Sequence, residues 1–221
     1  MVTFHLIYGK IVLRKYIYYN EGKSEQRAFP EGRWASNMII DEALYRAYLD
    51  GDDAGLALLM ERYGNRLTFY INGYLHDMYD SEDLMIEAFA YLISKKPRIG
   101  DGCFKAYLYK MARNLSLRFI TKKHLKHCFS CEEIEKEPES KIFIEEVIQK
   151  EELNQSLYLC MDQLKPDYRE VLYLVYFENM QHSEVAKVMN KSEKQVSDLV
   201  YRGKNSLRKY LEQEGITSAE Y

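Results

Sequence analysis

Apolar residues recur three and four apart over long runs of this chain, and only four prolines and eleven glycines interrupt them. A strand alternates its faces at every second residue, whereas a helix returns to one face every third or fourth, so this spacing excludes a sheet as the main scaffold. The expected fold is all-α. At 221 residues and 47% hydrophobic content there is room for one large or two small domains with real cores. No window approaches the roughly 18 uninterrupted apolar residues of a membrane span. The N-terminus lacks the charged start, apolar run and cleavage site of a signal peptide, so a cytoplasmic protein without membrane insertion is expected. In a reducing cytosol the cysteines at 103, 128, 131 and 160 should be free or metal-bound rather than paired.

The first 37 residues differ from the rest. They open with aromatic and β-branched residues suited to a strand or hairpin and turn polar around Gly22, Pro30 and Gly32. Gly32-Arg33-Trp34 can be encoded by GGGAGGUGG, which contains a ribosome-binding sequence shortly before Met38. Met38 is therefore the expected start, with a genuine extension packed on the helices as the alternative.

From Asp41, "DEALYRAYLDGD" and "DAGLALLMERYGNRLTFYINGYL" place Leu44, Tyr48, Leu56, Leu59, Tyr63, Leu67, Tyr70, Ile71 and Leu75 on apolar stripes broken at Gly51 and Asp52. Two packed helices follow from that. The next run, "DMYDSEDLMIEAFAYLIS", holds Asp77, Asp80, Glu82, Asp83 and Glu87 with no basic residue, and Ser81 is expected to open its first turn. By spacing alone this is an ordinary solvated helix with favourable N-terminal charges.

The charge then reverses. From Cys103 to Cys131, "CFKAYLYKMARNLSLRFITKKHLKHCFSC" carries Lys105, Lys110, Arg113, Arg118, Lys122, Lys123 and Lys126 and no acid. Phe104, Tyr107, Leu108, Met111, Leu115 and Phe119 supply the apolar stripe, which leaves the cations to share the remaining surface with Tyr109 and Asn114. Cations interleaved with aromatics neutralise phosphates and stack on bases, as single-stranded nucleic acid requires. The competing explanation is a basic surface that complements the acidic helix before it.

Residues 132–152 then hold nine Glu and three Lys around Pro138 and Ser140, the composition of an acidic linker. At its edge His124, His127, Cys128 and Cys131 are weak candidates for a metal site. One short stretch rarely surrounds an ion, and free thiols are expected instead. No cofactor is implied, and no constellation pairs a nucleophile with a base or cradles a phosphate, so no enzyme is expected.

In the C-terminal part, Lys165-Pro166 separates two amphipathic helices, with proline in a first turn. "HSEVAKVMNKSEKQVSDLVYRGKNSLRKYL" has a helix-turn-helix pattern: Val185 and Ala186 suit a close crossing, and Asn190 suits a left-handed turn. Ser192 and Gln195 form a capping box, Val196 and Leu199 point inward, and Glu193, Lys194, Gln195, Ser197, Asp198, Tyr201 and Arg202 are left for a groove. Lys204, Arg208 and Lys209 make its end basic. The expected architecture is two helical domains joined by an acidic linker, over 38–127, 128–152 and 153–215 with a tail at 216–221. The second is a four-helix helix-turn-helix domain.

This order of segments resembles the small two-domain, extracytoplasmic-function type of bacterial RNA polymerase sigma factor over roughly residues 41–212. "DSEDLMIEAFAYL", "FKAYLYKMARNLSLRFI" and the stretch from Leu164 to Leu211 carry the resemblance. It implies that Asp80, Asp83, Leu84, Glu87 and Phe89 bind core RNA polymerase through its β′ clamp helices, with Ile86 standing where such factors commonly have a polar residue. It implies that the loop "GDGCF" and the following helix capture a flipped base of the −10 element through Tyr107, Arg113, Asn114 and Arg118, within a −10-binding set that also includes Phe104, Lys122 and Lys123. It also implies that Ser192, Lys194, Gln195, Ser197, Asp198, Tyr201, Arg202 and Lys204 read the −35 element, with Lys191 replacing a usual apolar residue in the turn. The implied partners are core polymerase, including its β subunit, promoter DNA and an anti-sigma factor. Sharing promoter affinity with polymerase would make a net charge of −3 tolerable for a DNA-binding chain. A freestanding helix-turn-helix regulator is the second reading, and an interaction protein without promoter specificity the third.

Overall fold

The computed structural model describes residues 40–129 and 159–213, and the side chains of all of these except 126–129. The expected strand or hairpin before Met38, the start at Met38, nearly all of the acidic linker, Cys131 and the tail lie outside the described residues. The described residues form an all-helical protein. Its elements are α1 (Asp41–Leu49), α2 (Asp53–Leu75), α3 (Met78–Lys95), α4 (Phe104–Phe129), α5 (Pro166–Leu172) continuing into a π-helical turn (Tyr173–Phe177), α6 (His182–Met189) and α7 (Glu193–Gln213). Residues 159–162 are also helical and precede α5.

Local chemistry sets the boundaries. Asp52 starts α2 by accepting from the Ala54 amide at 3.0 Å, and the chain reverses through Gly51 at φ 103°. Asp77, not Ser81, starts α3: its carboxylate accepts from the Asp80 amide at 3.1 Å. Ser81 is instead a buried residue inside the helix, with its hydroxyl donating to the Asp77 carbonyl at 2.6 Å. The expectation placed the cap four residues too late because Asp77 and Ser81 are both good cap residues, and only the outer one has a free first-turn amide to receive. Pro166 occupies the first turn of α5, where its missing N–H costs nothing.

Helices α1 and α2 cross at a glycine. A Cβ on Gly55 would sit 2.2 Å from the Leu44 carbonyl oxygen, so only glycine allows this approach. Leu59, Leu67, Ile71, Phe89, Leu92, Phe104 and Leu108 then fill the space between α2, α3 and α4. In the C-terminal part α7 crosses α5 at Gly203, whose missing side chain faces Leu172 at 3.2 Å. Val185, Val188, Val196 and Val200 close the helix-turn-helix, and Asn190 takes the left-handed conformation between α6 and α7 (φ 53°, ψ 47°).

The two halves share one continuous hydrophobic cluster, because α4 packs on α6 and α2 packs on α5. That second contact surface explains a misplacement. Tyr109, expected on the open face of the basic helix, is fully buried. A single apolar stripe was read from the sequence, but α4 lies in the middle of the molecule and buries a further row, Tyr109, Ala112 and Ser116, against its neighbours.

Candidate nucleic-acid interface

The loop before α4 is fastened to α1. Tyr45 donates to the Pro97 carbonyl at 2.9 Å, Arg46 pairs with Asp101, and Glu42 accepts the Phe104 amide at 3.0 Å, which caps α4 from another helix. Gly102 supplies the positive φ, 67°, that lets the chain turn into α4. Burial, then Tyr107 and Tyr48, push the Tyr45 phenol up to about 12, so it stays a donor.

Along α4 the cations divide into two groups. Arg118 and Lys122 are exposed toward the helix end, where with Leu117, Thr121 and Leu125 they line a shallow open groove. Asn114 is exposed one turn earlier. Lys123 is also on the surface, with Nζ 3.3 Å from the Asp80 carboxylate and 5.6 Å from the Phe119 ring centre. This exposed pair joins the basic helix to the acidic one, and such pairs contribute under about 1 kcal/mol.

The other group is covered. Arg113 Nε donates to Glu170 Oε1 at 2.9 Å, and the Tyr70 hydroxyl donates to the same oxygen at 2.9 Å. Burial alone would lower the Arg113 pKa, but the Glu170 charge and the Tyr74 and Tyr70 phenols hold it above its ordinary value. Lys105 Nζ lies 3.3 Å from Glu178 Oε2 and also donates to the Glu178 carbonyl, while Arg66 Nε lies 3.6 Å from Glu178 Oε1. Both glutamates are almost completely buried, Glu170 at 6% exposure and Glu178 at 1%. Stranding one partner of such a buried pair costs about 3–5 kcal/mol. Tyr107 is half-buried, with burial and then Tyr91 raising its phenol pKa.

Several expected contact residues are structural. Phe104 is fully buried against Tyr45 (5.4 Å) and Tyr63 (6.1 Å), and so contacts no DNA in this arrangement. Leu84 (5% exposed) and Phe89 (0%) likewise belong to the core and offer nothing to a polymerase surface. The same helical periodicity that puts Asp80, Asp83 and Glu87 outward turns these two inward. Asp83 is exposed, Asp80 and Glu87 half-exposed. Ile86 is buried beside Ala90 in a small cluster with Met60, Met85 and Ile93, which accounts for an apolar residue at that position.

On α7 the expected face is open: Ser192, Lys194, Gln195, Ser197, Asp198, Tyr201, Arg202 and Lys204 are all exposed. The capping box is present, with the Ser192 amide donating to Gln195 Oε1 at 2.8 Å and the Gln195 amide to Ser192 Oγ at 3.2 Å. Val196 is buried and Leu199 half-buried. His182 Nδ1 lies 3.0 Å from Ser197 Oγ, Lys204 Nζ sits 5.6 Å over the Tyr176 ring, and Lys191 pairs with Asp167 at 3.1 Å, which gives a use to the lysine in the turn.

Glu170 and Glu178 were missed by sequence reasoning, and no local signal marks them: their partners stand 57 and 73 residues away. Of the weak metal candidates, His124 is exposed on α4, and no group of three metal-ligating side chains occurs among the described residues. Cys103 is a free thiol, and Cys160 is buried. No helix among the described residues is long and apolar enough to cross a membrane.

Residues 59–125 match the family Sigma-70 region 2, and residues 154–207 match Sigma-70, region 4, together more than half of the chain. The chain is 23% identical over 156 residues to the ECF RNA polymerase sigma factor SigE of Mycolicibacterium smegmatis, a match spanning 70% of this chain and 60% of that protein. It is 24% identical over 185 residues to the RNA polymerase sigma-H factor of Pseudomonas aeruginosa, spanning 78% of this chain and 94% of that protein. The fold resembles the sigma factor RpoE solved in complex with the anti-sigma factor NepR from Bartonella quintana, with TM-score 0.55, 18% identity, and 69% of this chain and 94% of that one covered. It also resembles CnrH in complex with the cytosolic domain of CnrY, with TM-score 0.52, 19% identity, and 78% and 97% covered. With region 2 on the helices that carry the acidic and basic faces and region 4 on the helix-turn-helix, the chain belongs to the sigma-70 family of transcription initiation factors, in its extracytoplasmic-function-like form.

Proposed function

We propose that this chain binds core RNA polymerase, directs it to a two-part promoter and opens the −10 region, acting in the cytoplasm as a non-enzymatic subunit. The observation that carries the proposal is the order of surfaces. An acidic face on α3 (Asp80, Asp83, Glu87) is followed by a basic helix ending in exposed Arg118 and Lys122, and then by a helix-turn-helix with an open recognition face. The acidic face takes the β′ clamp helices, α4 takes the −10 strand, and α7 takes the −35 element beside the β subunit. The division into residues 38–127 for polymerase and −10 contacts, 128–152 as linker and 153–215 for the −35 element belongs to the same proposal. Asn114, Arg118 and Lys122 are ready for nucleic acid as they stand. Arg113, held by Glu170, joins them only when the C-terminal half moves away. An anti-sigma factor, the partner type present in the RpoE structure, is a further proposed partner of this chain.

A freestanding regulator is not favoured, because its N-terminal helices would have no reason to match region 2 of a polymerase subunit. Transcription from a promoter library by purified core enzyme, with and without the chain, tests the proposal. Promoter-specific transcripts should appear only with the chain. Specific DNA binding by the chain alone, with no stimulation of core enzyme, would replace the proposal with the regulator reading.

A further inference from the structure

Two carboxylates of the C-terminal half lie against the first half of α4. Glu170 holds Arg113 and the Tyr70 hydroxyl at 2.9 Å each, and Glu178 lies 3.3 Å from Lys105 and 3.6 Å from Arg66. Around them the Tyr173 hydroxyl donates to the Arg66 carbonyl at 2.9 Å, Arg169 donates to the Gly73 carbonyl at 2.8 Å, and the Tyr70 ring packs on Tyr173 at 5.8 Å. A carboxylate presents a guanidinium with the same pair of acceptor oxygens that a phosphodiester does, so carboxylate and phosphate compete for one set of cations. A buried carboxylate cannot release its cations to DNA and remain buried, because it would be left uncompensated in a low dielectric.

We propose that Glu170 and Glu178 are internal anions that hold the chain closed, with Arg113 and Lys105 withheld from DNA until the C-terminal half separates from α2 and α4. The proposal rests on reading α4 as a nucleic-acid-binding helix. Arg118 and Lys122, outside the covered zone, give DNA a first foothold, and opening then exposes the rest of the helix. The apparent affinity of the free chain for DNA is reduced by the fraction of molecules that are open. On core polymerase, where region 2 and region 4 must reach separate promoter elements, closure is incompatible with function.

The test uses the full chain with Glu170→Gln and Glu178→Gln together, beside a charge-matched control at two exposed acids, Asp53→Asn and Glu61→Gln. Small-angle scattering should show a larger radius of gyration for the first variant only. Its affinity for a fluorescent mixed-sequence single-stranded DNA should rise about tenfold over the control, the change expected if about one parent molecule in ten is open. A radius and an affinity equal to those of the control would overturn the proposal. If the variant loses its helical circular dichroism, the parent decides: added DNA should speed amide exchange in α5, and unchanged exchange at saturating DNA would equally overturn it. Transcription by parent chain and core enzyme is read in parallel. Its failure removes the sigma-factor reading, whereas transcription with no expansion of the variant removes only the closed state.

Discussion

Gln195 has two demands on one side chain. Its Oε1 accepts the Ser192 amide at 2.8 Å and so completes the N-terminal cap of α7. A bidentate contact with adenine needs that same oxygen as well as the amide nitrogen. With the box closed, Gln195 can offer DNA only its Nε2 donor, so the base contact proposed for it would be a single hydrogen bond. Replacing Gln195 by Ala should cost about 1 kcal/mol of stability from the lost cap and should also weaken base preference at one −35 position. Glu at this position keeps the box while removing the donor. Gln195→Glu should therefore melt like the parent yet bind the promoter less well in holoenzyme. Thermal melts and promoter titrations read the two effects separately, and equal promoter affinity for Gln195→Glu would mean that Gln195 caps the helix and reads nothing. Arg202 is simpler, being exposed two turns further on. Arg202→Ala should weaken binding to all −35 sequences alike and reduce the slope of log affinity against log salt by about one, the signature of one lost phosphate contact.

At the scale of elements, the crossing of α1 and α2 depends on a position with no side chain. Gly55→Ala puts a methyl 2.2 Å from the Leu44 carbonyl oxygen, and a backbone atom cannot rotate away as a side chain could. Moving α1 would loosen the anchors it holds, Tyr45 on Pro97 and Glu42 on the Phe104 amide. The substitution should cost about 1–3 kcal/mol, the usual range for overpacking, and a melting temperature equal to the parent's would show that α1 is not held where the structure has it. On α3 the proposed polymerase-binding set contracts to its polar members, since Leu84 and Phe89 are core. Asp83→Lys with Glu87→Lys, one turn apart on one face, should leave folding intact and weaken association with core enzyme in a titration. The existence of these helices was legible in the sequence because 3.6-residue periodicity and the Gly51–Asp52 break are local. The second buried face of α4 was not. Lys105 and Arg113 flank Tyr109 four residues away on either side, and that charged neighbourhood reads as solvent-facing until Glu170 and Glu178 are brought to it. The π-helical turn was equally invisible. It stacks Tyr173 on Phe177 at 5.5 Å and is followed at once by the buried Glu178, an arrangement that follows from tertiary contact rather than propensity.

For the whole molecule, the two halves are joined through phenols as much as through carboxylates. Tyr70 packs edge-on to Tyr109 at 5.0 Å and against Tyr173 of the C-terminal half at 5.8 Å, and Tyr63 meets Tyr109 at 6.4 Å. Burial first, then nearby acidic groups such as Asp41 for Tyr63 and Glu170 for Tyr70 and Tyr74, raises these phenols above the ordinary value. Tyr109 is raised by burial, then by Tyr173 and Glu178. A raised folded-state pKa means that the folded chain keeps phenolic protons which the unfolded chain gives up. The stability this contributes is whole below about pH 10, the ordinary tyrosine value, and is lost as pH rises through the folded-state values, beginning with Tyr45 at about 12. Alkaline titration should therefore reveal a set of tyrosines that resist ionisation while the chain is folded. The buried set should ionise only together with loss of helical circular dichroism, because each lost proton would leave a charge in the shared core. Tyrosine absorbance and circular dichroism recorded on the same samples decide the matter. Ionisation of Tyr70 and Tyr109 near pH 10 with the helices intact would mean that water already reaches them, and that the two halves do not share a sealed core.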